Sequence, residues 1–122
     1  MIIAGYVLVS IVTLGIIYVG LSYVFAPAKT AAGFGLDHVP EKADAFFNIK
    51  GVRDIGTGLV PLALMIYGDP HALAWVILAE AFIPFGDMLI ILRHGGKKAI
   101  AFSVHGLTSA GMVVASVLLL IG

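Results

Sequence analysis

The chain has 122 residues, 61% hydrophobic and only 11% charged, with a mean hydropathy of +1.10, whereas a soluble domain is about a quarter charged. That composition excludes a soluble globular protein. Seven Lys and Arg balance seven Asp and Glu, so no basic surplus exists for nucleic acid, and the lack of cysteine removes disulfides and thiolate chemistry together. The expected partner is the lipid bilayer.

A membrane-crossing helix needs about 20 mostly apolar residues. Four stretches of this chain meet that need, which predicts an all-α, integral membrane four-helix bundle forming one domain over residues 1–122. The first span runs from about Ile2 to Ala26 without a charged residue and stops at Pro27. Ala26-Pro27-Ala28 loosely resembles a signal-peptide cleavage site, but no positive residue precedes the run, and the run is too long for a signal core.

A polar loop over 27–47 follows, carrying Lys29, Asp37, His38, Glu41, Lys42 and Asp44. Within it, Val39 to Phe47 reads as a helix start, with Pro40 in the first turn and acids near the N-terminus. The second span, about 48–67, ends before Gly68-Asp69-Pro70, yet its charge-free part begins only at Ile55. The third, about 72–92, is closed by Arg93-His94-Gly95-Gly96-Lys97-Lys98, and the fourth covers about 99–121. Lys50 precedes Gly58-Leu59 as Lys98 precedes Gly106-Leu107, the trace of a weak two-plus-two repeat.

All seven Lys and Arg residues lie in or near the first and third loops. The positive-inside rule therefore predicts a multi-pass cell-membrane protein with those loops cytoplasmic and both termini extracytoplasmic. Tyr67 and Trp75 flank the short outer loop, where an aromatic belt belongs.

Ionisable side chains at membrane depth cost roughly 2.5 to 3.5 kcal/mol each, so they mark function by default. At about 1.5 Å per residue, Asp54, Asp87, His105 and Tyr18 fall in one layer roughly 10 Å below the cytoplasmic surface. Glu80 lies near the bilayer centre and Lys50 is shallower. Lys50, Arg53 or Asp54, Thr57 and Pro61 share one helical stripe, and Glu80, Pro84 and Asp87 share another, each expected to face the bundle interior. Lys50 and Arg53 against Asp54, Glu80 and Asp87 leave one charge to be supplied by a protonated His105 or removed by one protonated carboxyl, for which Glu80 is the candidate. Pro61 and Pro84 are placed to kink their helices, while Gly51, Gly56, Gly58 and Gly86 permit close approach of backbones.

The candidate catalytic residues are thus Glu80, Asp87 and Asp54, and the candidate binding residues are Arg53, Lys50, Asn48, His105 and Tyr18. The plain alternative for Lys50 and Arg53 is that they snorkel to headgroups with Asp54 as a local partner. No paired Glu-x-x-His of a di-metal bundle occurs, so no metal site is expected, and neither a nucleophile elbow nor a phosphate loop is present. The cofactor stays open, since the pattern neither calls for nor rules out a haem on His105.

The run Phe46-Phe47-Asn48-Ile49-Lys50-Gly51-Val52-Arg53-Asp54, then Gly58-Leu59-Val60-Pro61 and Ala79-Glu80-Ala81-Phe82-Ile83-Pro84-Phe85-Gly86-Asp87, resembles a known family. It is the family of small four-helix integral membrane proteins designated domain of unknown function four-two-six-seven. Arg93-His94-Gly95 and His105-Gly106 belong to the same likeness, which covers most of the chain. The resemblance implies a membrane bundle and no activity.

Acids held away from water beside cations suit proton transfer to a small lipophilic molecule, such as epoxide opening, isomerisation or cyclisation. In that scheme Glu80 or Asp87 is the acid, Asp54 the base or charge stabiliser, and Arg53 and Lys50 orient the ligand. One alternative is a proton-linked transporter or channel subunit working as a homo-oligomer. Another is a structural accessory subunit of a membrane complex, its buried charges serving only to specify helix pairing.

Overall fold

The computed structural model describes residues 1–39 and 45–122. Among them every regular element is helical. Helix α1 spans Ile2–Phe25, and a short α2, Pro27–Ala32, follows with Pro27 at its first position, where a missing N–H costs nothing. Most of the expected helix start between Val39 and Phe47 lies outside the described residues. Helix α3 covers Ala45–Tyr67, beginning before the expected boundary at residue 48.

The next crossing is built in two pieces, α4 over Pro70–Glu80 and α5 over Phe82–Arg93. Asp69 caps α4, its carboxylate accepting from the backbone N–H of His71 at 2.9 Å and of Ala72 at 3.1 Å. The break at Ala81 falls where Pro84 was expected to kink the third span, since Pro84 has no N–H to offer the Glu80 carbonyl four residues earlier. Pro61, by contrast, leaves α3 uninterrupted. The last stretch starts as α6, Lys98–Ile100, widens into a π-helical turn over Ala101–Gly106, and continues as α7, Leu107–Ile121.

Three stretches are long and apolar enough to cross a membrane: Ile2–Phe25, Pro70–Arg93 and Lys98–Ile121. Helix α3 matches them in length, but any 18-residue stretch of it contains Lys50, Arg53 and Asp54. Of the four expected spans, three are thus apolar stretches of membrane-crossing length, and the second, α3, carries the charges that its short charge-free part announced.

Helix α3 packs along α1, and α7 packs against both α1 and α4. The core between α1, α4 and α7 comprises Val9, Leu73, Ala74, Ile77, Ala81, Met112, Ala115 and Leu119. Two buried hydroxyls of α7 tie it to the broken crossing: Ser109 donates to the Ala81 carbonyl at 2.9 Å and Ser116 to the Ala74 carbonyl at 2.8 Å. Between helices in lipid, where apolar side chains gain little by leaving the acyl chains, such hydrogen bonds and close packing hold the bundle.

The closest approach is that of α1 to α3. A Cβ on Gly20 would stand 2.7 Å from the Gly51 carbonyl oxygen, and one on Gly51 would stand 2.6 Å from that of Gly20. Gly122 sits against Ile2, so the two chain ends meet at one end of the bundle. At the other end the first and third loops are joined, the Lys97 backbone N–H donating to the Gly35 carbonyl at 2.7 Å. Gly35 holds a φ of +114°, which side-chain-bearing residues rarely adopt, and this bend carries the loop across the bundle.

Candidate functional site

At the joined-loop end, four helical elements bring polar side chains to one place and the first loop adds a ring and a backbone carbonyl. Lys50 and Asp54, one turn apart on α3, form an ion pair with Nζ 2.8 Å from Oδ2. The Lys50 ammonium also lies 4.4 Å from the ring centre of Tyr23 on α1 and 5.2 Å from that of Phe34 in the first loop, within the range of cation–π attraction.

The facing wall is α5 and the π-helical turn. His105 Nε2 is 3.0 Å from the Phe34 carbonyl oxygen, and its Nδ1 is 3.7 Å from Asp87 Oδ2. A carbonyl only accepts, so Nε2 carries a proton and Nδ1 is the atom turned to the carboxylate. The Phe34 and His105 rings stack obliquely with centres 4.6 Å apart. Asp87 is within Coulombic range of Lys50 and Asp54, which joins the two pairs into one electrostatic unit.

The wide turn explains how His105 gets there. A π-helical turn carries one residue more than an α-turn and so re-aims the side chains beyond it. His105 is buried while its neighbours Phe102 and Val104 are exposed. Ser103 and Thr108 hydroxyls donate to the Ala99 and Val104 carbonyls four residues back, taking up backbone acceptors at the edges of the turn.

Beside this unit is an open cavity of about 160 Å³ lined by Tyr23, Ala31, Phe34, Leu36, His38, Val39, Phe47 and Lys50. Its walls are mainly apolar, and Lys50 and His38 are its ionisable nitrogen groups among the described residues.

Of the residues singled out from sequence, Lys50, Asp54, Asp87 and His105 come together here. Tyr18 does not. It is 73% exposed, and the tyrosine in the cluster is Tyr23, at 2% exposure. Arg53 lies on the exposed side of α3, so the stripe turns Asp54 inward instead of its neighbour. Asn48 serves the helix pairing, its amide donating to the Tyr23 and Val24 carbonyls at 3.3 and 3.2 Å. Glu80 shares Asp87's azimuth but stands roughly 10 Å further along the crossing, and among the described residues no cation lies within ion-pair distance of it.

Both nitrogens of His105 face protein atoms, Phe34 O and Asp87 Oδ2. Among the described residues no three His, Asp or Glu side chains are grouped to hold a metal ion.

Sequence reasoning missed Tyr23 and Phe34. Tyr23 was available as a signal: it falls five full turns after Gly5 on the face also marked by Gly20. Phe34 contributes through its backbone carbonyl and ring, placed by the path of a loop, and no side-chain pattern announces that.

The family model of the Domain of unknown function (DUF4267) matches residues 13–119. No curated protein and no solved structure matches the chain.

Proposed function

The chain belongs to the DUF4267 family, a domain of unknown function, and we propose that this membrane protein binds a small lipophilic molecule in the loop-end cavity and transfers protons to and from it. The observation that carries this reading is the pairing of an apolar cavity of about 160 Å³ with the Lys50, Asp54, Asp87 and His105 unit. A cavity of about 150 Å³ is enough for benzene, so this one suits a ring or the reacting end of a longer lipophilic chain.

Asp87 and His105 share the proton to be given, and Asp54, with Oδ2 held by Lys50, is the base or the carboxylate that steadies a developing positive charge. Lys50 orients an oxygen of the ligand and steadies negative charge on it. Giving a proton at one atom and withdrawing one at another completes an isomerisation or cyclisation without a co-reactant, and epoxide opening balances in the same way when the ring oxygen is protonated, its C–O bond breaks and a proton is withdrawn from the adjacent carbon to leave an allylic alcohol. Asp87 takes precedence over Glu80 as the acid because only Asp87 joins the cluster. On this reading, which rests on the positive-inside rule, the cavity opens toward the cytoplasmic leaflet, α3 is the fourth crossing and both chain ends are outside.

A second reading, proton-linked transport through a homo-oligomer, draws on Glu80, a carboxyl with no ion-pair partner among the described residues, seven positions before Asp87. In that case Glu80 passes protons along the crossing toward the Asp87 and His105 pair.

Organic extraction of protein purified in native-lipid nanodiscs tests the pocket. The expected extract contains a small molecule enriched over bulk lipid, and Ala31→Leu, which fills the cavity wall, lowers it about tenfold, as an excluded methylene-scale contact of ~1.4 kcal/mol would. Identical extracts from the wild type and Ala31→Leu would sink the reading.

A further inference from the structure

Arg53 is the cation of α3 that the cluster leaves out. It lies on the exposed side of α3, and among the described residues no acid pairs with it. Around it is a second, more open cavity of about 370 Å³, lined by Ala45, Asn48, Ile49, Val52 and Arg53. These positions fall on one face, with Ile49 and Ala45 one and two turns before Arg53. Val52 and Ile49 are exposed, so this apolar face has no cover among the described residues.

We infer that this groove is a binding site for an anionic phospholipid, with Arg53 on its phosphate and an acyl chain along Ile49 and Val52. Three features select that occupant. Helical side chains lean toward their own N-terminus, and the N-terminus of α3 lies at the joined-loop end, so the Arg53 guanidinium is carried toward the headgroup layer. A guanidinium matches phosphate oxygens in a bidentate fork, which an ammonium cannot do. Lys29, Arg93, Lys97 and Lys98 lie near the same end, where the positive-inside rule puts the cytoplasmic leaflet and its anionic lipids. Lys50 is not available for the same task, since Asp54 holds it at 2.8 Å.

The site is independent of the proposed chemistry, because Arg53 faces away from the proton-transfer unit. Native mass spectrometry of the full chain, exchanged into vesicles of phosphatidylcholine with a minor share of phosphatidylglycerol, reads it directly. The wild type is expected to retain phosphatidylglycerol in preference to phosphatidylcholine. Arg53→Gln should retain about tenfold less, the loss expected for a charge-assisted contact, whereas Lys97→Gln, the same charge change in the third loop, should keep most of it. Equal retention by Arg53→Gln and the wild type would overturn the inference. So would equal loss in both variants, which would show only a general response to surface charge.

Discussion

Gly51→Leu is expected to separate α1 from α3 and to destabilise the protein by about 3 kcal/mol or more, the upper end of what overpacking costs. A side chain there has no room: its Cβ alone would meet the Gly20 carbonyl oxygen at 2.6 Å, Val24 Cγ2 at 2.9 Å and Tyr23 Cβ at 3.0 Å. Two of these belong to rigid helix backbone or its first side-chain atom and cannot swing aside. In lipid the helices lose most of their association when close packing is lost, because burial of apolar surface no longer drives it. The crossing also carries the site, since Tyr23 and Lys50 flank it on either helix. Gly56→Leu is the matched control, because a Cβ there meets nothing within 4 Å. Reversible unfolding in mixed micelles should show a large loss for Gly51→Leu and little change for Gly56→Leu. Equal losses would mean that the Gly20–Gly51 contact is not what holds α1 to α3.

The second large effect comes from dividing the ion pair. Lys50→Met should cost roughly 2–4 kcal/mol, toward the low side of the range for a broken buried pair because the Lys50 side chain keeps 35% exposure. The cost arises from Asp54, whose carboxylate stays at 13% side-chain exposure with its cation gone and Asp87 nearby. Adding Asp54→Leu removes that stranded charge, and apolar replacement of a whole buried pair is often neutral. The double variant should therefore regain most of the stability while losing the enriched ligand. Measured as a double-mutant cycle, a coupling near zero would contradict the pairing. A double variant that folds and still binds the ligand would favour the purely structural role of these charges.

Depth and spacing made part of this visible in the sequence. Asp54, Asp87 and His105 each stand a similar number of residues from a charged loop, and the folded chain brings all three to the joined-loop end. The azimuth of α1 was harder to read. That helix is apolar all round, so hydropathy assigns it no inner face, and Tyr18 and Tyr23 differ only in which small residues share their side. Gly5, Val9, Thr13 and Gly20 mark the packed face, and Tyr23 belongs to it. The choice between Arg53 and Asp54 was equally hidden, since adjacent residues differ by about 100° around the axis and both fit a loosely drawn stripe. The break at Ala81 was foreshadowed by Pro84, but the π-helical turn at Ala101–Gly106 was not, because the hydropathy of the last span continues through it unaltered. The loop contact of Phe34 with His105 depends on Gly35 and Gly96 meeting across two loops, a long-range event that no local pattern encodes.

The arrangement gives the scarce charges of the chain two separate tasks. Lys50, Asp54, Asp87 and His105 form a compact unit in which Lys50 faces Asp54 and His105 faces Asp87, while Arg53, Lys29, Arg93, Lys97 and Lys98 are exposed. The central claim is that the unit serves a ligand held against Tyr23 and Phe34. A density map of the wild type in native-lipid nanodiscs tests it most directly. The predicted result is non-protein density in the cavity touching Lys50 and the rings of Tyr23 and Phe34. A well-resolved cavity that is empty, or filled by side chains of a neighbouring subunit, would contradict it.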